Sequence, residues 1–573
     1  MSVGLFADLV MVKGKVVTVD GKSTVAQAVA VRDGRIVRIG TTKEIMKLKG
    51  KDTRIIDLKG RTVLPGLTDA HVHMISSAAR ALDTRWLDCR DLYHPEIKSL
   101  EDILERIEKY AQKQPKGSWI RVQGSPMQPF RLKERRFPNK HDLDKAAPEH
   151  PAFIYFGAHV TVANTMALKM ANITRHTQNP IGGWIEKDAS GEPTGILREK
   201  AQPFLTNLLY PGGREVTEDH LKKNIPIPQV SDYTYQDMKR GVEGVVQKCL
   251  ERGCTTVHDV VASPEEIRAY HETLKEGKLK MRIVLLPRVY ESQIKADTFL
   301  NLGALTGFGN HWLKIGGMKM SIDGGITGCN AAFYEPYLHE PDNRGVIRIP
   351  QEVLNGLISK LNKAGLQCAV HAIGDRAFDM ILEAYEKALA EFPRKDHRHR
   401  IEHGPGNWLC TPERLQRMKK MGIVPVPNIG LNLYYLGDTM IEVLGARRMA
   451  KMCPFKMLLK AGLRLTNGTD APGYIPVDPL REIWACVVRR SLQGKKIATE
   501  ESISVMDAIR IHTINAAHAE FSEEAKGSIE LGKLADLVVL AEDPLTIKPE
   551  KIKDIKVDYT IVDGRIVYQR TKR

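Results

Sequence analysis

Two histidines one residue apart close an apolar run in Leu64-Pro65-Gly66-Leu67-Thr68-Asp69-Ala70-His71-Val72-His73. In a β-strand, alternate side chains point the same way, so His71 and His73 share a face and Asp69 joins them. Two imidazoles on one face at a strand end can grip one metal ion, and zinc, iron and nickel all accept that donor. Taken alone, the pair reads equally well as two polar residues at a strand end. What weighs for a metal is further along the chain. His371 ends Gln367-Cys368-Ala369-Val370-His371 and His403 ends Arg400-Ile401-Glu402-His403. Asp470 follows Leu463-Arg464-Leu465-Thr466-Asn467. Its bland role is a helix N-cap before Ala471-Pro472.

Two lysines compete for a further place. Lys319, Ser321 and Asp323 share one strand parity, and Met318, Met320 and Ile322 share the other. The polar set should therefore face inward, while the apolar set meets covering helices. Lys314 has the opposite parity, which a bulge at Gly316-Gly317 would reset. A buried lysine loses its charge readily. Its neutral amine can then take up carbon dioxide as a carbamate, which acts as a bridging carboxylate.

These residues need strands to hold them. From about 240 onward, short apolar strands alternate with helical stretches such as 350–364 and 411–421. The strands are Cys254–Val260, Met281–Leu286, Met318–Asp323, Gln367–His371, Arg400–His403, Ile423–Val426 and Leu463–Asn467. With the His71 strand they make eight, which predicts α/β architecture and a closed (β/α)₈ TIM-like barrel. Barrel enzymes place catalytic groups at the C-terminal ends of such strands, where the candidates fall.

Residues 75–240 exceed that count. They carry strands of their own (119–123 and 152–156) and a Gly-rich turn, Ile181-Gly182-Gly183-Trp184. They read as an α+β insertion after barrel strand one, over the barrel mouth. At the ends, Asp33-Gly34-Arg35-Ile36-Val37 is matched by Asp563-Gly564-Arg565-Ile566-Val567, and Ala535-Asp536-Leu537 echoes Ala7-Asp8-Leu9. Residues 1–60 plus 525–573 are thus expected to form one small β-sandwich domain, with the barrel (61–524) inserted between.

The composition is that of a soluble globular protein: 573 residues, 42% hydrophobic and 27% charged. No run is long and apolar enough to span a bilayer, and the N-terminus lacks the form of a signal peptide. Eight scattered cysteines without a C-x-x-C pair suit a reducing cytoplasm. The net charge of +16 is spread along the chain and mixed with acids, as in Lys133-Glu134-Arg135-Arg136. That reads as a solvated basic surface rather than a nucleic-acid interface.

The chain resembles the amidohydrolase superfamily, and within it the YtcJ-like metal-dependent hydrolases (amidohydrolase family 3). The phrases that carry the resemblance run from Pro65 to His73 and from Pro193 to Glu199. They continue with Lys319 ahead of Asp323-Gly324, His371 to Ala377, Arg400 to His403, Gly468-Thr469-Asp470, and Gly532 to Leu537. The resemblance implies His71 and His73 on one metal, His371 and His403 on a second, and carboxylated Lys319 between them. Zinc is the default for such a site, as one or two ions. Asp470, also near the metal, would orient an activated hydroxide, take its proton and pass it to the leaving group. Glu199, His258, Asp323 and Asp375 are candidates for substrate contact or ligand support, each with an equally good structural role. The expected reaction is hydrolysis of a C–N bond in a small amide, formamide or cyclic amide. Deamination, ester hydrolysis and decarboxylation are the alternatives, and a non-catalytic scaffold is the remaining one. A homodimer is a family-level expectation.

Overall fold

The computed structural model describes residues 6–571 other than 82, 84, 158, 181, 210–233, 291, 339, 405, 407, 408, 473 and 474. Ile181 of the expected Gly-rich turn, and 210–233 of the expected insertion, therefore lie outside the described residues. The apolar runs of the central chain become two four-stranded sheets. One has the spatial order Leu67–Val72, Cys254–Val261, Arg282–Pro287, Leu313–Ile315. The other has the order Met318–Ser321, Cys368–His371, Arg400–His403, Val424–Pro427. Every neighbouring pair in both is parallel. Cys254–Val261 is buried at every position, as a strand covered on both faces must be.

Helices alternate with these strands. Asp375–Glu391 buries Ala377, Phe378, Ile381, Leu382 and Tyr385, an apolar stripe of helical period. Thr411 caps Pro412–Met421 by accepting from the Arg414 amide, and Gly422, at φ 74°, ends it. The architecture is mixed α/β.

The fourth expected strand, 318–323, forms as Met318–Ser321, and Gly316-Gly317 separates it from an additional strand, Leu313–Ile315, in the other sheet. A Cβ at Gly316 would lie 2.6 Å from Val284 Cγ1, so only glycine lets the chain step across there. After the step, Lys319 forms a parallel bridge with Arg288, and the Val289 amide donates to Lys319 O at 3.0 Å.

The eighth expected strand, 463–467, is not a regular strand. Its neighbour Val424–Pro427 explains why. Thr466 and Gly468 donate to the carbonyls of Pro425 and Pro427, each at 3.1 Å. In a strand, N–H and C=O of one residue point the same way, and these two residues have no N–H to return. On its other side the segment follows the His71 strand. Ala70 N donates to Asn467 O at 3.0 Å and Asp470 N to His71 O at 2.9 Å.

Three more sheets surround this centre. A six-stranded mixed sheet lies between Trp86 and Glu199 and includes Ala152–Tyr155, Val160–Ala163 and Pro193–Glu199. Near the chain ends, a four-stranded sheet holds Ala7–Val12 between Ala28–Arg32 and Lys49–Asp57. A six-stranded sheet pairs Leu537–Leu540 antiparallel with Thr62–Pro65. The two Asp-Gly turns meet: a Cβ on Gly564 would lie 3.1 Å from Gly34 Cα. All four turn residues have positive φ, the hairpin conformation that Asp-Gly favours. All eight cysteines are buried and free. No helix among the described residues is long and apolar enough to cross a membrane.

Candidate active site

The C-terminal ends of the parallel strands converge on one cavity of about 260 Å³. His73, Lys319, His371, His403 and Asp470 all line it, and so does Glu199. His71 lies just beneath, fully buried. The ring centroid of His403 is 4.5 Å from that of His71 and 4.5 Å from that of His371. Lys319 Nζ is 3.5 Å from His403 Nε2.

Each buried histidine spends one nitrogen on a supporting group. His71 Nδ1 meets the Glu402 carboxylate. His403 Nδ1 is 2.7 Å from Asn428 Oδ1. His371 Nε2 is 3.3 Å from Gly324 O and 3.4 Å from Asp323 Oδ1. This is how metal-binding histidines are usually oriented, with the second nitrogen left for the ion. Glu402 is itself held by the Arg400 guanidinium through two contacts of 2.7 and 3.0 Å.

His71 Nε2 lies 3.6 Å and His73 Nε2 3.1 Å from Asp470 Oδ1. Ligand atoms of these three residues all lie within 4.8 Å of one another. Both His71 Nε2 and Asp470 Oδ1 are buried without a hydrogen-bond partner among the described residues. Orphaned polar atoms cost free energy unless something binds them. Two imidazole nitrogens and a carboxylate oxygen in one pocket are the donor set a divalent transition metal takes, so the residues fit such an ion.

The electrostatics agree with neutral donors. Burial, then the nearby Lys319 ammonium, hold His71 well below the usual imidazole range. Burial, then His371 and Lys319, do the same for His403. Burial also pulls Lys319 down to about 7. Backbone strain collects here too, with φ of 66° at His403, 61° at Asp470 and 50° at Glu199. Such non-glycine conformations cost about 1–3 kcal/mol each and concentrate at functional sites.

The weaker candidates separate. Glu199 is buried at the cavity wall, 2.7 Å from His159 Nδ1 and 3.3 Å from an Arg348 nitrogen. Asp323 accepts from the amides of Ala332, Ile373 and Gly374 and so shapes the loop after His371. His258 sits below the ligands, 2.9 Å from an Arg400 nitrogen, and does not line the cavity. Asp375 opens its helix and accepts from the Tyr334 and Arg376 amides, away from the cavity. The competing lysine, Lys314, donates to Glu520 O at 2.9 Å and Ser522 Oγ at 2.5 Å, away from the ligands. Asp69 does not join the two histidines. It accepts the Thr469 amide at 2.9 Å and hydroxyl at 2.5 Å, tying the His71 strand to the Asp470 segment.

Sequence reasoning assigned no role to Glu402, Asn428 or His159. Glu402 is adjacent to His403, and the alternation of side chains was the available signal that it faces another partner. Asn428 and His159 had none, since their partners are remote in sequence.

Residues 54–568 match the model of the amidohydrolase family. The chain belongs to the amidohydrolase family. Within it, the chain is 31% identical to the N-substituted formamide deformylase of Arthrobacter pascens, over 98% of this chain and 99% of that protein. It is also 31% identical to YtcJ of Bacillus subtilis (strain 168), named as an amidohydrolase, over 95% of this chain and 96% of that one. An uncharacterized metal-dependent hydrolase of Pyrococcus horikoshii OT3 shares the fold, with a TM-score of 0.68 at 24% identity. That match covers 94% of this chain and 99% of the other. The family is one of hydrolytic enzymes, and its match spans every cavity residue named above.

Proposed function

We propose that this protein is a metal-dependent hydrolase that cleaves a C–N bond in a small amide, formamide or cyclic amide. The observation that carries the reading is the pair of orphaned buried atoms, His71 Nε2 and Asp470 Oδ1, beside His73 at the cavity floor. The deformylase likeness supports an amide-type substrate. Two four-stranded parallel sheets, joined by the Arg288–Lys319 bridge on one side and through the 463–471 segment on the other, support a closed (β/α)₈ barrel (61–524). The pairing of Leu537–Leu540 with Thr62–Pro65 supports a composite β-sandwich from 1–60 plus 525–573, with 75–240 as the inserted subdomain. Eight unpaired cysteines suit a cytoplasmic enzyme.

His71, His73 and Asp470 would hold one ion; His371 and His403, with Lys319 as its carbamate between the pairs, would hold a second. Zinc, when bound there, would polarise a substrate carbonyl and lower the pKa of a water. Asp470 takes a proton from the attacking water as the oxygen–carbon bond forms. Glu402 and Asn428 keep His71 and His403 in the tautomers that present Nε2. The apolar wall of Ile326, Ile373, Leu431, Leu436 and Met440 receives the substrate's carbon skeleton and excludes water.

Metal analysis of the purified protein, followed by a turnover screen of amides, formamides, cyclic amides, esters and amino-heterocycles, tests the reading. Metal together with C–N hydrolysis is the expected result. Turnover confined to esters or to deamination would move the assignment to the second reading, another reaction of the same family.

A further inference from the structure

One group in the cavity is supplied by the sheet of residues 86–199 rather than by the parallel strands. His159 directly precedes Val160–Ala163, and its ring reaches the cavity wall. Its Nδ1 lies 2.7 Å from Glu199 Oε1. The backbones are tied as well, with Glu199 N donating to His159 O at 3.1 Å. Glu199 is held by further groups: Asn330 Nδ2 at 3.2 Å and Gly325 N at 3.4 Å also reach Oε1, and Arg348 reaches Oε2. These contacts fix the carboxylate in place. It orients a histidine whose other nitrogen, Nε2, has no hydrogen-bond partner among the described residues.

That nitrogen packs against the loop that follows the Lys319 strand, in the same cavity as the proposed ligands. A Cβ at Gly325 would lie 2.6 Å from His159 Nε2, and one at Gly324 would lie 2.4 Å from Glu199 Oε1. The pair thus rests directly on the Gly324-Gly325 backbone. Gly324 O is also the group that His371 contacts. One glycine pair separates the His159–Glu199 dyad from a proposed metal ligand, and the cavity opens between dyad and ligands. A substrate whose carbonyl meets the ligand side leaves its other substituent toward His159.

We infer that His159 is the proton donor to the leaving nitrogen, with Glu199 as its positioning residue; this rests on the C–N hydrolase reading above. As the C–N bond breaks, its electron pair goes to nitrogen, which takes the proton from His159 Nε2. The proton that Asp470 received from water then returns to His159 through solvent, so the cycle closes without another reactant. Asp470 is relieved of the second transfer that the sequence reading gives it. Burial opposes a charge on His159, but the Glu199 carboxylate outweighs it and raises the pKa. Burial likewise opposes the charge on Glu199, yet His159 and Arg348 hold it down to about 2. Both shifts favour the proton on His159, the side from which it can be donated.

The test is leaving-group dependence in the metal-loaded enzyme, with formanilides graded from para-nitro to para-methoxy as probes. A good leaving group needs no acid; a basic one does. His159→Gln should lower kcat for the para-methoxy substrate by about a hundredfold and for the para-nitro substrate by only a few-fold. Metal content should be unchanged. Glu199→Gln should steepen the same dependence more mildly, by roughly tenfold across the series, and serves if His159→Gln folds poorly. A uniform loss across the series in either folded variant, or no loss, overturns the inference while leaving the hydrolase reading in place. Should the wild type turn over no amide, formamide or cyclic amide, the underlying reading fails, and this one with it.

Discussion

The imidazole of His73 lies 3.1 Å from Oδ1 of Asp470, a residue almost four hundred positions away in the chain. Hydrogen bonding between the His71 strand and the Asp470 segment makes that approach. His73 N donates to Ala471 O at 2.7 Å, and Asp69 accepts from Thr469. The site is therefore assembled by the junction between the first and last parallel elements, and its properties can be tested through either side.

Removal of His71 and His73 together should empty that junction of metal. Wild-type protein is expected to carry about one to two equivalents of a divalent transition metal, and the double alanine variant to lose most of it. Elemental analysis of matched samples checks this. An unchanged content would place the ion elsewhere.

Lys319→Ala and Asp470→Asn should separate binding from chemistry. If Lys319 bridges two ions as proposed, metal occupancy and turnover should fall together without it, and added short carboxylic acids should restore part of both. Asp470→Asn keeps an oxygen donor of similar size, so most metal should remain while activity falls by about a hundredfold or more. Metal content and kcat measured on the same preparations decide it. Near-normal turnover in Asp470→Asn would assign the proton to another group.

His512 gives a pH dependence of stability with a definite sign. Its Nδ1 is bonded to Thr68 O at 3.1 Å, and burial lowers its pKa from 6.5 to about 4. Between those values the unfolded chain binds more protons than the folded one, so stability rises with pH. The contribution is complete above about 6.5 and is lost as pH falls toward 4, a change of about 3 kcal/mol. Urea unfolding of metal-free protein at pH 7 and at pH 5 should show about 2 kcal/mol of this loss, and His512→Asn should show a shallower one. Equal slopes for the two proteins would refute it.

Asp536→Ala should weaken the attachment of the C-terminal strands to the parallel sheet. Asp536 pairs with Arg282 on the Arg282–Pro287 strand at 2.6 Å, and both side chains are almost fully buried. Leaving that guanidinium buried should cost about 3 kcal/mol, at the low end of the range for a broken buried pair because Asp563 stays 3.4 Å away. The melting temperature should fall accordingly. A variant as stable as wild type would show that the C-terminal strands are held by other contacts.

The sequence by itself determined the residue types at the strand ends and the order in which they occur. Local pattern was enough for that, because a strand of parity two and apolar neighbours dictates which side chains face together. It likewise marked Asp33-Gly34 and Asp563-Gly564 as turns, since few residues tolerate positive φ. It favoured Lys319 over Lys314 by parity, subject to a bulge between them. The break at Gly316-Gly317 separates them, and only packing against Val284 shows why the chain steps there. Pattern also made 463–467 a regular strand, whereas the prolines at 425 and 427 withhold the amides that such pairing needs. What only the tertiary structure decided is which distant groups support the ligands. Glu402 under His71, Asn428 under His403 and His159 against Glu199 are contacts between elements far apart in the chain. Such contacts are set by how strands stack and close. That depends on the packing of the whole core and leaves no periodicity in the sequence around either partner.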